Sequence, residues 1–440
     1  MISSLELPNP GGITSLQKIT KHPIWSMLAA FGCYFCVYGF RKPFTAGLYV
    51  DQSWHGIPWK SVLISSQIAG YMLSKWCGIF VVSGITWEKR ARAILLSILV
   101  AEIALLGFGI CPKPWNVLFL VMNGLPLGMI FGYIQGFLEG KKNTELYIAA
   151  LGSSFILADG VSKSTGSWLL SLQIPETWMP FIAGLLFTAP LVFFVWMLTQ
   201  IPRPDDADIA NRSERIPMTQ ADRIHVFKML WPGIIGVSIL YLGASLLRGI
   251  RSDFAPEIWK YLGYSSVPSL YSQTEIWVTV GILLINGSLV LIKKNKTAFF
   301  LSVGCIATGY FLLLISGLWG LTHLPKFWLI VLTGFGIYLP YLTITTSVFE
   351  RMISITKIKA NVGFLMYIVD SIGYLGYNVL LLSAGFLFPE WNIPNLFFYW
   401  IKIIGIAGII ISLLTAIYFF RKFLLKKTAL SSLKLDNAAS

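Results

Sequence analysis

The run IWSMLAAFGCYFCVYGFRKPF, residues 24–44, decides how this chain is to be read. Up to Phe40 it carries no charge, and as a helix it spans most of a hydrocarbon core roughly 30 Å thick. It then ends on Arg41 and Lys42, just before Pro43. A cation at that depth in a membrane must be paired, snorkelled to the interface or solvated in a cavity, so it marks a functional site.

The same composition recurs along the chain. Of 440 residues, 55% are hydrophobic and only 12% are charged, outside the usual range of soluble domains. Apolar stretches of roughly 20 residues recur about twelve times, at 24–47, 60–83, 90–111, 116–138, 146–172, 178–199, 230–250, 272–292, 297–318, 325–349, 360–387 and 396–420. The fold class predicted is all-α: a polytopic membrane protein with twelve transmembrane helices in two pseudo-symmetric six-helix bundles. Residues 1–200 form the first bundle, 201–228 a charged cytoplasmic linker containing IPRPDD, 229–425 the second bundle, and 426–440 a cytoplasmic tail.

The net charge of +14 does not point to nucleic acid, because the Lys and Arg residues gather in alternate short loops. The clusters Lys89/Arg90/Arg92, Lys141/Lys142, Lys293/Lys294/Lys296 and Arg421/Lys422/Lys426/Lys427 place both termini in the cytoplasm by the positive-inside rule, in an inner (cytoplasmic) membrane. The segment before Trp25 lacks the pattern of a cleaved signal peptide. Cys33 and Cys36 form CxxC inside an apolar helix with no histidine nearby, which is packing rather than redox or metal chemistry. No phosphate-binding loop, nucleophile elbow or metal-spaced histidine cluster occurs, so no enzyme, metal or cofactor is expected. The expected partners are the lipid bilayer and a small anion, and the expected state is a monomer.

Two features indicate duplication. Arg41, Phe44 and Tyr49 recur at the same offsets as Arg251, Phe254 and Trp259, and Gly152 precedes Asp159 as Gly363 precedes Asp370. In a two-half transporter the substrate site lies near the midplane between the halves. Arg41 and either Arg248 or Arg251 therefore face each other there, and two guanidinium groups suit a phosphate or carboxylate. Lys75 is a further contact; Lys42 points about 100° away from Arg41. Tyr38, Tyr338 and Tyr341 are placed near the cavity. Asp159 and Lys163, at i and i+4, form either a self-neutralising pair or a switch. Asp370 has no such partner on its own helix and joins them as a coupling residue. Glu275, at the start of helix eight, is favoured by the helix dipole or gates the path, and Glu102 sits mid-span on helix three. Pro43, Pro126 and Pro340 are expected to kink their helices.

These residues resemble a known family. The architecture is similar to the major facilitator superfamily, and within it the sequence resembles the organophosphate:phosphate antiporters, the glycerol-3-phosphate and hexose-phosphate transporters. Arg41-Lys42 with Phe44 on helix one, Tyr71-x-x-Ser74-Lys75 on helix two and Arg248, Asp253 and Pro256 on helix seven match that family. So do Gly334, Phe335, Ile337, Tyr338 and Pro340 on helix ten, and Gly363, Phe364 and Gly373 to Gly376 on helix eleven. The resemblance implies that Arg41 and Arg248 bind a phosphoryl group with Lys75 nearby. It departs at helix five, where Asp159 stands in place of the family's histidine, and in the helix 2–3 loop, GITWEKRAR, which lacks the superfamily's Asp. The expected function is a secondary transporter moving a small organic anion by exchange or proton coupling, with protons or phosphate as counter-substrate. A membrane ligand sensor and a carrier of a zwitterionic or siderophore-like molecule stand as alternatives.

Overall fold

The computed structural model describes residues 20, 22–50, 52–139, 141, 144–203, 220–264, 267–356, 358, 362–387 and 392–436. Among the described residues twelve long helices carry the fold. The first six are α1 (Pro23–Tyr38), α2 (Trp59–Gly84), α3 (Trp87–Ile110), α4 (Val117–Leu138), α5 (Thr144–Ser171) and α6 (Met179–Thr199). The second six are α7 (Gln220–Asp253), α8 (Ser269–Val290), α9 (Asn295–Ile315), α10 (Lys326–Thr343), α11 (Val362–Leu387) and α12 (Ile393–Asp436). A two-stranded hairpin, Ser53–Trp54 with Ile57–Pro58, sits in the α1–α2 connection.

The solvent pattern is inverted relative to a soluble protein. Leu96, Leu99 and Ile103 on α3, and Ile410, Leu413, Leu414 and Ile417 on α12, face outward, while Arg41, Gln67, Asn123, Asp159, Lys163, Arg251 and Asp253 are buried. Exposed apolar surface on this scale, running along whole helices, is the surface of a membrane-embedded protein. Eight helices among the described residues are long and apolar enough to cross a membrane. The other four are α1, which has only 16 residues, and α2, α5 and α8, which carry Gln67, Asp159 with Lys163, and Glu275 with Asn286.

The contacts repeat between the halves. In the first half α1 packs on α5 and α6, α4 on α2 and α3, and α3 on α6; in the second α7 packs on α11 and α12, α10 on α8 and α9, and α9 on α12. The seam between the halves repeats too, since α5 packs on α8 as α11 packs on α2. This is the pseudo-symmetric pair of six-helix bundles expected. Glycines permit the closest approaches: a Cβ at Gly70 would fall on the backbone carbonyl of Val121, and one at Gly124 on that of Gln67, so α2 and α4 touch backbone to backbone.

Several boundaries differ from the expectation. α1 stops at Tyr38, not at 47, and Pro43 opens a separate 3-10 turn, Pro43–Ala46, instead of kinking a continuous helix. Pro126 and Pro340 do lie inside α4 and α10. α7 begins at Gln220, so the last part of the 201–228 linker is already helical; residues 204–219 lie outside the described residues, as do residues 1–19 and Lys142. The expected 426–440 tail continues α12 as far as Asp436. Charge, which marks a linker in a sequence, does not by itself end a helix once the apolar part has nucleated it.

Candidate functional site

The site begins where α1 breaks. Once the helix ends and Pro43 supplies no N–H, the carbonyls of Phe40 and Arg41 lose their helical partners. Asn123 of α4 donates from Nδ2 to Phe40 O at 3.1 Å and to Ala101 O at 3.1 Å. Gln67 of α2 donates from Nε2 to Arg41 O at 2.9 Å and to Asn123 Oδ1 at 2.8 Å. Non-helical backbone at membrane depth is tolerated where it is buried in protein and satisfied in this way. The break fixes Arg41 beneath α2. Sequence reading missed Gln67 and Asn123, although an amide pair inside two apolar helices was the available signal.

α7 supplies the opposing cation. Arg248 and Arg251 lie three residues apart, about 60° around the helix, and this separates their fates. Arg251 pairs with Glu275 of α8 and donates from Nη2 to Ile330 O at 3.2 Å. Arg248 lines a narrow cleft with Arg41 between the halves, bounded also by the Lys42–Asp253 pair, Gln67, Ser252, Tyr374 and Tyr377. The internal repeat aligns Arg41 with Arg251, yet the cleft joins Arg41 with Arg248.

Aromatic rings, rather than a bonded carboxylate, hold these two guanidinium groups. Arg41 Cζ lies 4.2 Å from the Tyr71 ring centre and 5.6 Å from that of Tyr38. Arg248 Cζ lies 4.7 Å from Tyr341 and 5.9 Å from Phe155. Cation–π contact holds a guanidinium in place without neutralising it. Among the described residues neither arginine has a carboxylate partner, and Nε of each is buried without a hydrogen bond.

Every other cation along this seam is paired. Lys42 bonds Asp253, which also accepts from Tyr377 Oη at 3.0 Å; Asp253 therefore belongs to Lys42 rather than to either α7 arginine. Lys60 reaches both oxygens of Glu257, at 2.6 and 2.9 Å. Lys75 bonds Asp370, which accepts from Tyr241 Oη at 2.8 Å. Asp370 thus finds on α2 the partner its own helix lacks, and Lys75, read as a free ligand contact, is already engaged. These pairs form a ladder along the seam. Lys60–Glu257 lies at the end where α1 meets α2, Lys42–Asp253 comes next, then the Arg41–Arg248 cleft, and Lys75–Asp370 lies one turn beyond Tyr71.

The remaining residues lie beside this ladder. Lys163 pairs with Asp159 as the i, i+4 spacing predicts, and Ser252 of α7 donates to Asp159 at 2.8 Å, tying the pair to the other half. Glu275 lies beyond the first turn of α8 and is held by Arg251, so the helix dipole is not what places it. Together Lys163, Arg251 and Glu275 line a second, narrow pocket. Tyr338 lies under Arg251 at 5.6 Å and against Phe155 at 5.9 Å. Tyr341 stacks on Tyr241 at 4.8 Å. Glu102 is buried against Gly184 of α6, outside both cavities, and neither of its oxygens has a hydrogen-bond partner.

Comparison with known proteins agrees with this architecture. A family model described as a family of unknown function, DUF5690, matches residues 43–422. No curated protein matches the chain. Among solved structures, a D-xylose-proton symporter superposes with a TM-score of 0.59 at 13% identity, covering 91% of this chain and 97% of that one. A bacterial homologue of the human drug peptide transporters PepT1 and PepT2 superposes with a TM-score of 0.55 at 12% identity, covering 91% and 98%. At such identities the likeness is one of fold alone, and the fold is the one these two transporter structures share.

Proposed function

The chain belongs to this family of unknown function, DUF5690, and we propose that it is a secondary transporter that carries a small organic anion between its two halves by alternating access. Both similar structures are of transporters by name, one of them a proton symporter. The observation that carries the reading is the pair of guanidinium groups, one from each half, neither with a carboxylate partner among the described residues, in a cleft whose one acid, Asp253, is taken by Lys42. Two uncompensated charges in a low-dielectric site attract an anion strongly, and bidentate donors favour a phosphoryl or carboxylate group. A phosphate ester fits both the charge and the resemblance to organophosphate antiporters. Tyr38, Tyr341 and Lys75 are the further contacts, and Asp159, Lys163, Glu275 and Asp370 the groups that exchange partners as the halves rock. The loop charges orient both termini toward the cytoplasm.

The test is counterflow in proteoliposomes with labelled phosphate, sugar phosphates and carboxylates. Exchange of at least one of these classes is expected; exchange of none overturns the anion reading.

A further inference from the structure

Asp370 is tied to both cleft arginines through aromatic rings. Its ion-pair partner Lys75 lies 5.4 Å above the Tyr71 ring, the same ring that carries Arg41. Lys75 also lies 4.6 Å from Tyr374, which packs on Tyr71 at 5.4 Å. On the other side Asp370 accepts from Tyr241, whose ring stacks on Tyr341 beneath Arg248. The pair is also less enclosed than the Lys42–Asp253 pair. The side chains of Lys75 and Asp370 keep 18% and 19% exposure, against 9% and 4% for Lys42 and Asp253.

We propose that Asp370 is the proton site of this protein, loaded when the bound anion draws Lys75 away from it. The proposal rests on the anion reading of the cleft. The geometry supplies the exchange: Lys75 stands one helical turn from the residue beneath Arg41, within reach of an anion held there. When Lys75 turns to the anion, the Asp370 carboxylate loses its only cation among the described residues. An uncompensated carboxylate in such a site is costly, and water reaching the exposed edge delivers a proton to an Asp370 oxygen. The charges balance, because Lys75 gains the anion and Asp370 gains the proton. The groups facing Asp370 are Lys75 and Tyr71 from α2, Tyr241 from α7 and Tyr374 from α11, with Arg41 and Arg248 beyond them. Both arginines oppose proton uptake at Asp370, and the charge of the bound anion offsets theirs.

The experiment uses the purified full chain and two anions that do not titrate between about pH 6 and about pH 8, sulfate and glucose 6-sulfate. Binding is measured by calorimetry in buffers of different ionisation enthalpy, which counts protons taken up. Wild type is expected to take up about one proton per anion and to bind up to about tenfold more tightly per pH unit as pH falls, the limit for one linked proton. Asp370→Asn, which leaves Lys75 free, is expected to bind several-fold more tightly at the alkaline end, with no proton uptake and no pH slope. The double variant Lys75→Gln/Asp370→Asn, lacking both charges, is expected to bind more weakly and equally flatly, with a melting temperature near that of wild type. A wild-type proton count that persists in Asp370→Asn overturns the proposal alone. Wild-type binding that is absent, or unchanged in Arg41→Gln, overturns the anion reading and this proposal with it.

Discussion

The two halves share their helix contacts but differ in the charges they bring to the seam. The first half supplies Lys42, Lys60 and Lys75, and the second supplies Asp253, Glu257 and Asp370 as their partners. Charges that pair within a half, Asp159 with Lys163 and Arg251 with Glu275, stay on their own side. The duplicated bundles have thus become electrostatic complements. Closure joins unlike charges three times over, which specifies how the halves meet more than it adds stability. What remains after this cancellation is one arginine from each half, and that remainder is the candidate binding site.

The comparison is broken most severely by removing one of the leftover charges. Arg41→Gln or Arg248→Gln is expected to lower anion exchange at least about 100-fold, as loss of a charged binding contact does, with the melting temperature little changed; proteoliposome counterflow and a thermal melt check both parts. Next in size is Asp253→Asn, which strands Lys42 and is expected to cost about 3–5 kcal/mol. The swap Lys42→Asp/Asp253→Lys restores complementarity and is expected to recover part of the melting temperature. Asn123→Ala leaves the carbonyl of Phe40 without a donor and Gln67 Nε2 without one of its acceptors, at about 1–3 kcal/mol, and loosens Arg41, so both stability and anion affinity fall while Arg248 keeps its surroundings. The smallest effect is expected of Tyr377→Phe, which removes one hydrogen bond to Asp253 for about 1 kcal/mol, read as a small melting shift with exchange retained.

Much of this architecture is legible in the chain. The apolar runs predict twelve spans because lipid leaves the backbone no alternative to satisfied helices. The i, i+4 spacing predicts the Asp159–Lys163 pair because both residues lie on one helix. Pairings between helices are illegible by the same logic. Lys75 and Asp370 stand 295 residues apart, and nothing in either segment names the other. The break of α1 is half legible: Gly39 and Pro43 mark it, but the amides that satisfy it come from α2 and α4. The repeat even misdirects, because it equates Arg41 with Arg251, whereas a rotation of about 60° on α7 gives Arg251 to Glu275 and turns Arg248 to the cleft.

By itself the sequence determined the membrane, the helices, the doubling and the excess of buried cations, since each follows from local composition or from spacing along one helix. The tertiary structure alone decided which cations are neutralised and which two are not. Pairing depends on distances across the seam between α1, α2, α7 and α11, and those distances are set by the packing of whole helices, not by any one of them.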